Sequence, residues 1–582
     1  MCGIIGYIGD KNAIEIVCYG LKKVEYRGYD SAGIAFEENN QIKLIKDVGT
    51  IINIIPEDAK NHSKKAIGHT RWATHGPPCK ENAHPHLDCT KKIAIIHNGI
   101  IENYLSLKEE LIKKGHRFES ETDSEVLAHL IEEELKKEKN SFEAVKKAIK
   151  KIEGSFAFGI MIANENKLFV ARKYAPLIIG IGENEMFFAS DIPAILRYTK
   201  KIIVLEDGDI AQIQKDGLKI YNSDHEVKRE IVRIDWDEEM AQKQGFEHFM
   251  LKEIFEQDQA VANALGAELS QAPQMIKNAK KIALIGCGTS YYASLVLEYF
   301  LKRNKKNVCS YVSSEYENWS AEDEDLIIAI SQSGETADTL KVVRKAKQRG
   351  AKIISIINVI GSSLARLSDC TINIGAGPEI SVVATKTFLA ELVVLYRLAY
   401  LVNGQNEKIK KMHQLRQILK EFIKEKDLEI KKIALALENQ KDFLFIARGL
   451  GYVCALEGAL KLKEITYLHA EAYAAGELKH GPISMIEKNT PVIVIGQNDS
   501  NIKNLHSNIK ECKARGANTI ILSEVKELLD EADIKIKIPN FDDEMFLILY
   551  IIPLQLLAYY IATKQGKDPD KPRNLAKSVT VE

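Results

Sequence analysis

The second half of the chain is written twice. "KKIALIGCGTSYYA" (residues 280–293) is matched by "KDFLFIARGLGYVC" (441–454), "DLIIAISQSGE" (from Asp325) by "TPVIVIGQNDS" (from Thr490), and "GAKIISIIN" (from Gly350) by "GANTIILSE" (from Gly516). Lys280 to Lys441, Asp325 to Thr490 and Gly350 to Gly516 are offsets of 161, 165 and 166 residues, in one order. Each segment is a short apolar run, a turn and a helical pattern, as in a parallel sheet with helical crossovers. Three segments at nearly one offset predict two similar α/β subdomains, 251–430 and 431–567. The lysine-rich stretch 404–432 is the expected helical connection, and 568–582 a tail.

Residues 2–235 have a different rhythm. Runs such as "CGIIGYIG", "SAGIAFEE", "KIAIIHNG", "GSFAFGIMIA" and "MFFASD" alternate with helical patterns near 12–24, 103–115, 123–138 and 141–151. This predicts an α+β domain on antiparallel sheets, joined through a polar linker, 236–250, to the α/β region. A chain of 582 residues has room for several such domains. Its charge is balanced, with 80 Lys+Arg against 81 Asp+Glu, and no basic run points to nucleic acid or an anionic membrane. Nine scattered cysteines, and a start without a signal peptide, read as reduced thiols of a cytoplasmic protein. The apolar run 545–562 nears membrane-span length, but it holds Pro553 and Gln555 and follows Asp542, Asp543 and Glu544, so a buried helix is expected. Cys79, His84, His86 and Cys89 fit no common zinc spacing, and Pro85 separates the imidazoles rigidly, so no metal is expected.

Three places carry chemistry. "SQSGET" puts Ser331, Gln332, Ser333 and Thr336 at a strand-to-helix junction, where hydroxyls and free N–H groups suit a phosphate. "GCGTS", with Thr289 and Ser290, is a second such junction. Neither is a dinucleotide fingerprint or a Walker loop. The second repeat has "GQNDS" in place of the serines, so one monophosphate site per chain is expected. Next, Glu457, Lys461, Glu464 and Glu471 fall on one stripe of a helical pattern, bordered by Leu460, Ile465 and Tyr467. The stripe reads equally as surface Glu–Lys pairing or as a proton-transfer site, with His480 adding an imidazole. Finally, removal of the first methionine gives Cys2 both a thiol and an α-amine, and the amine is able to act as the thiol's own base. Asn98 and Gly99 of "HNGIIEN" offer two donors to an oxyanion. Arg71 offers a carboxylate fork, Trp72 a gate, and Asp123 a partner for an amino group.

The stretches "CGIIGYIG", "EYRGYDSAG", "RWATHG", "NAHPH" and "HNGIIEN" resemble the N-terminal-nucleophile glutamine amidotransferase domain. "GCGTS", "SQSGET", "EGALKLKE", "AGELKHGP" and "PRNLAKSVTVE" resemble the paired sugar isomerase domains of the glutamine–fructose-6-phosphate aminotransferase (isomerizing) family. The resemblance covers the chain in order. It implies an enzyme, without a cofactor, that makes D-glucosamine 6-phosphate and L-glutamate from D-fructose 6-phosphate and L-glutamine, the first step of hexosamine synthesis. It implies Cys2 as nucleophile, with Asn98 and Gly99 as oxyanion hole. Arg71, Thr74, His75, Gly99 and Asp123 would bind glutamine, and Trp72 would gate an ammonia channel. Thr289, Ser290, Ser331, Gln332, Ser333 and Thr336 match the phosphate positions. Glu464 matches the base between C1 and C2, with Glu457 and Lys461 as its support. His480 matches the ring-opening group, which in the family comes from the partner subunit and implies a homodimer. Lys577 matches the imine-forming lysine. One departure is Ala384, where the family's loop has serine. The competing readings are another glutamine amidotransferase, whose adenylation or phosphoribosyl-pyrophosphate loops are not found, and a non-enzymatic sugar-phosphate regulator, which would not need Cys2, Glu464 or Lys577.

Overall fold

The computed structural model of the chain describes residues 2–51, 63–72, 75–234 and 242–580. The chain divides into two compact units, Met1–Ala241 with Ala576–Glu582, and Gln242–Leu575.

The first unit is built on two antiparallel sheets. In the eight-stranded sheet, Gly3–Gly9 lies between Lys65–Arg71 and Glu185–Ala189. In the seven-stranded sheet, Ile93–Ile101 pairs with Gly154–Ile162 from Ile93↔Ile162 to Ile101↔Gly154. Side chains alternate across each strand. Ile4 and Ile8 of one sheet therefore meet Ile96, Met161 and Val170 of the other in a shared apolar layer. The opposite faces carry helices. Ile5 and Tyr7 pack under Ile14, Val17 and Leu21 of helix Ala13–Val24. Ile95 and Phe158 pack under Leu127, Ile131 and Val145 of helices Val126–Leu135 and Ser141–Ile149. The result is a helix–sheet–sheet–helix stack, in which Gly3–Gly9 is buried along its whole length. Phe188 fills the space between the sheets because Gly6 and Gly159 face it. A Cβ on either would lie 2.0 or 2.5 Å from the ring. Helix Ala13–Val24 starts where the Asn12 side chain accepts from the Ile14 N–H, and Lys22 and Lys23 sit in its last turn, where the helix dipole favours cations.

The second unit holds two five-stranded parallel sheets. In spatial order the first is Asn307–Val312, Lys281–Gly286, Leu326–Ser331, Lys352–Ile357 and Cys370–Asn373. The second is His469–Ala474, Asp442–Ala447, Pro491–Gly496, Asn518–Ser523 and Ile534–Lys537. Corresponding strands start 162, 161, 165, 166 and 164 residues apart, so the sequence repeat is a repeat of topology. In both sheets the chain runs outward on either side of the strand that comes first in sequence. That strand and its later neighbour flank the switch point where α/β sheets bind ligands, at their C-terminal ends.

One apolar cluster gathers the helices Lys386–Val402, Leu415–Leu437, Gly451–Thr466 and Leu547–Lys564. The lysine-rich connection forms Asn406–Met412 and Leu415–Leu437. Leu547–Lys564 is the one helix among the described residues long and apolar enough to cross a membrane, and Leu547 to Ala562 are all buried in this core. Its one amide, Gln555, is satisfied by Gln257 Nε2 at 2.8 Å. One expectation is corrected. The helix carrying Glu457, Lys461 and Glu464 stops at Thr466, Tyr467 turns left-handed (φ +58°), and His469–Ala474 is a sheet strand. Glu471 is therefore not on the helical stripe, because the edge strand of the second sheet claims it.

Candidate active sites

In the first unit, Cys2 immediately precedes the buried strand Gly3–Gly9, and the neighbouring strand ends at Arg71. Register brings Gly3 opposite Thr70, so the thiol reaches Trp72. The Trp72 N–H lies 3.2 Å from Cys2 Sγ, and the thiol lies 3.6 Å from the Trp72 carbonyl. Burial pushes the thiol's pKa up, and the Trp72 N–H and the Arg71 and Arg27 guanidiniums pull it down. Asn98 Nδ2 donates to the Cys2 carbonyl at 2.9 Å, and the other end of the amide is buried and faces His69. The next residue, Gly99, has φ +130°, and a Cβ there would stand 2.0 Å from the Ser155 carbonyl oxygen. Glycine is thus required at the position whose N–H was expected to serve an oxyanion.

The remaining glutamine-site candidates surround this centre with partners of their own. The buried Arg71 guanidinium does not stand free as a fork. It donates to the carbonyls of His75, of Gly76 at 3.1 Å and of Pro77 at 3.4 Å, and so holds the loop after it. Asp123 accepts from the Ile101 N–H at 2.7 Å and from Ser124 Oγ at 3.1 Å. His75 lies edge-on to Tyr104, and Trp72 edge-on to Tyr29. Thr74 lies outside the described residues, as do 236–241 of the expected linker. The sequence reading missed Arg27, which donates to the Cys2 carbonyl at 3.4 Å and is anchored by Asp191 at 2.7 Å. It lies inside the quoted "EYRGYDSAG", which gave position without a role. Beside the site, His69, His84 and His86 form a buried cluster, His69 stacked on His84 and His86 edge-on to it, with ring centroids 4.1 and 4.4 Å apart. Burial holds His69 down at about 3, and His84 and His86 well below the usual imidazole range.

In the second unit, both serine–threonine motifs stand at the switch point of the first sheet. Strand Lys281–Gly286 runs into Thr289 and Ser290, which open helix Thr289–Arg303. Strand Leu326–Ser331 runs into the loop before helix Ala337–Gln348. Ser331 Oγ bonds Thr336 Oγ1 at 3.0 Å and accepts from the Gly334 N–H at 3.1 Å, while Ser333 Oγ accepts from the Glu335 N–H at 3.2 Å. Gln332 fixes the loop by accepting from Asn358 N–H at 3.0 Å. The corresponding loop of the second sheet is filled by its own side chains. Gln497 Nε2 and Asn501 Nδ2 both donate to Asp499, at 2.8 and 3.0 Å. A carboxylate in that cradle repels an anion, which leaves the first loop as the phosphate candidate.

The charged helix stripe meets this switch point. Lys461 Nζ lies 2.7 Å from Glu464, 3.3 Å from Glu457 and 3.2 Å from Thr289 Oγ1, and Thr289 Oγ1 donates to Glu457 at 3.2 Å. Glu457 and Lys461 are 0 % exposed, and Glu464 is 22 % exposed at its side chain. This excludes a solvated Glu–Lys pair. Burial pushes Glu457 up to about 7, against the pull of Lys461. Burial alone would lower Lys461, but Glu457 and Glu464 raise it above its ordinary value. Ser290 Oγ donates to Glu391 at 3.1 Å. Thr385, beside Ala384, is fully buried, and its N–H is used by Glu379 at 2.9 Å. His480 is exposed at the end of the turn Ala475–His480. Lys577 is half-buried and belongs to the first unit, not to the second.

Comparison with known proteins agrees with both halves. A sugar isomerase (SIS) domain model matches residues 275–401 and 436–564, and a glutamine amidotransferase domain model matches 69–197. The chain is 47% identical to the glutamine–fructose-6-phosphate aminotransferase (isomerizing) of Thermococcus kodakarensis and 45% identical to that of Thermotoga maritima, each over 100% of both chains. Among solved structures, the C-terminal domain of glucosamine–fructose-6-phosphate aminotransferase from Francisella tularensis superposes with a TM-score of 0.52 at 36% identity, covering 56% of this chain and 99% of that one.

Proposed function

The chain belongs to the glutamine–fructose-6-phosphate aminotransferase (isomerizing) family, and we propose the following division of work among its residues. The enzyme uses L-glutamine and D-fructose 6-phosphate to make L-glutamate and D-glucosamine 6-phosphate. Cys2, freed of Met1, attacks the glutamine carboxamide, with its own α-amine taking the thiol proton. The oxyanion is met by Asn98 Nδ2 and the Gly99 N–H. Ammonia leaves, and water cleaves the glutamyl thioester. Arg71, Thr74, His75 and Asp123 frame the glutamine, Arg71 by holding the 75–77 carbonyls in place, and Trp72 is the gate through which ammonia passes.

In the second unit, Thr289, Ser290, Ser331, Gln332, Ser333 and Thr336 hold the sugar phosphate. His480 of a second subunit opens the ring, which makes the working enzyme a homodimer. Lys577 condenses with the C2 carbonyl, releasing water, and ammonia then displaces the lysine amine from the imine. Glu464 moves the proton between C1 and C2. Lys461 holds that carboxylate in place at 2.7 Å, while Glu457 tethers Lys461 to the phosphate-side hydroxyl of Thr289. The reading assigns 2–235 to glutamine hydrolysis, 251–567 to the two sugar isomerase subdomains and 568–582 to a catalytic tail, in a cytoplasmic enzyme.

The observation that carries this assignment is the Glu457–Lys461–Glu464 cluster, fully buried at Glu457 and Lys461 and bonded to Thr289 at the switch point. A sugar-phosphate regulator has no use for an ammonium held between two carboxylates beside its ligand. The test supplies the purified protein with glutamine and fructose 6-phosphate. Glucosamine 6-phosphate and glutamate should form together, and Cys2→Ala should abolish glutamine use while sugar-phosphate isomerisation persists. Absence of the amino sugar, or loss of both activities in Cys2→Ala, overturns it.

A further inference from the structure

The expectation of no metal rested on Cys79, His84, His86 and Cys89 taken together, and the fold disperses that set. His84 and His86 enter the buried imidazole cluster. Cys89 instead meets His116, His129 and Glu132, and one ligand atom from each lies within 4.8 Å of all the others. We propose that these four side chains form a structural zinc site.

Geometry is the first argument. Cys89 Sγ lies 3.6 Å from His116 Nδ1 and 3.6 Å from His129 Nδ1. The two Nδ1 atoms are 3.2 Å apart, and Glu132 Oε2 is 3.2 and 3.6 Å from them. A tetrahedral zinc with bonds of about 2.0–2.3 Å has ligand-to-ligand edges of about 3.3–3.6 Å. Five of the six edges, at 3.2–3.6 Å, are already close to these.

Proton placement is the second. His116 Nε2 faces Glu133 at 2.9 Å, and His129 Nε2 faces Glu125 at 3.4 Å. With each Nε2–H directed at its carboxylate, both Nδ1 atoms are free to bind a cation at the point they share with Glu132 Oε2. Carboxylates behind metal-bound imidazoles are also the usual outer shell of a zinc site, fixing tautomer and raising ligand basicity. The Arg117 N–H donates to Cys89 Sγ at 3.3 Å, and the Cys89 N–H donates to Glu132 Oε2 at 3.1 Å, which holds both donors at the cluster.

The donor set selects the ion. Two imidazoles, a thiolate and a carboxylate in tetrahedral array suit zinc rather than calcium or magnesium. On binding, the thiol proton goes to solvent and an S–Zn bond replaces the S–H bond. Four protein ligands leave no open position, so the role is structural. The ion ties the turn before strand Ile93–Ile101 and the segment after helix Tyr104–Lys113 to helix Val126–Leu135, where His129 and Glu132 share a face at i, i+3. Glu125, behind His129, also accepts from the Glu119 and Ser120 N–H groups at 2.8 and 2.7 Å. The clamp therefore reaches the loop that carries Asp123.

The test uses the full chain, purified without chelators or a histidine tag. Elemental analysis should find about one zinc per chain. Stripped protein should bind Co2+ with the intense visible bands of a tetrahedral ion and a near-ultraviolet thiolate band, the latter lost in Cys89→Ser. His129→Gln should cut retained zinc at least about tenfold. If the variants fold poorly, alkylation of the wild-type protein decides the matter: Zn2+ should protect Cys89 from iodoacetamide at least about tenfold, as a zinc-bound thiolate is held from attack. Wild-type binding of less than about a tenth of an equivalent at micromolar free zinc, or alkylation of Cys89 at one rate with and without zinc, overturns the proposal.

Discussion

Asn98 Nδ2 bonds the main-chain carbonyl of Cys2 at 2.9 Å, so the amide expected to meet the oxyanion also pins the residue that creates it. This bond fixes the donor side of the amide, whose other end faces buried His69. Asn98→Ala should lower kcat for glutamine hydrolysis by about 10²–10³-fold, the range for a lost oxyanion donor, with sugar-phosphate isomerisation unchanged. A glutaminase assay showing a loss of less than about tenfold would remove Asn98 from that role.

Gly99 is the stricter requirement, since it combines φ +130° with a carbonyl oxygen 2.0 Å from any Cβ. The clash is with backbone of the paired strand, which cannot rotate away. Gly99→Ala should destabilise the first unit by about 2–4 kcal/mol and remove glutamine hydrolysis. Thermal unfolding followed with the glutaminase assay tests both, and a variant with wild-type Tm and activity contradicts the geometry.

Lys461 holds two carboxylates in the second unit, and removing it strands them. Lys461→Met should cost about 3–5 kcal/mol, as for a buried ion pair broken on one side. It should abolish isomerisation while glutamine hydrolysis at Cys2 continues. Adding Glu457→Gln should restore part of the stability without the activity, because the buried charge is then gone. If the double variant is no more stable than Lys461→Met, Glu457 is not the uncompensated group.

The histidine cluster sets an acid limit on the first unit. His69, His84 and His86 have pKa values held below the unfolded value of about 6.5. Their stabilising contribution is complete above that pH and is lost as pH falls below it, because the unfolded chain then binds protons that the folded chain refuses. His97, buried in the same unit, is held down in the same way, and four such groups give a limiting slope of about 5 kcal/mol per pH unit. Thermal melts between pH 7.5 and 5.0 should show the first unit failing first, and His84→Phe should flatten the slope by about a quarter. A slope unchanged by that substitution would mean that His84 is protonated in the folded chain.

The fold was legible where local pattern carries it. The constant offset of the repeat predicts equal topology, because each strand-turn-helix segment sets its own geometry and stacks on its neighbour. The position of "GCGTS" and "SQSGET" is legible for a related reason: a motif at the C-terminal end of a parallel strand is delivered to the switch point by the sheet itself. Arg71 was legible as a position but not as an orientation. Its guanidinium turns to the carbonyls of residues 75–77, four to six residues on, and no composition or period encodes that turn. Glu471 was assigned to a helical stripe because period alone does not mark where Tyr467 ends the helix.

The sequence by itself determined the repeat and the family, and it marked Cys2, "HNG", "SQSGET" and "EGALKLKE" as candidates, because each is a short contiguous run on one element. Tertiary structure alone decided what those charges are worth. Lys461 is two-sided and sealed only because helix Gly451–Thr466 lies against the first sheet's switch point, where Thr289 joins it. Likewise Cys89 finds His116, His129 and Glu132, 27 to 43 residues away, only because a turn and two helix segments converge. Burial sets the strength of a charge or a lone pair, and burial is a property of what packs on top of it.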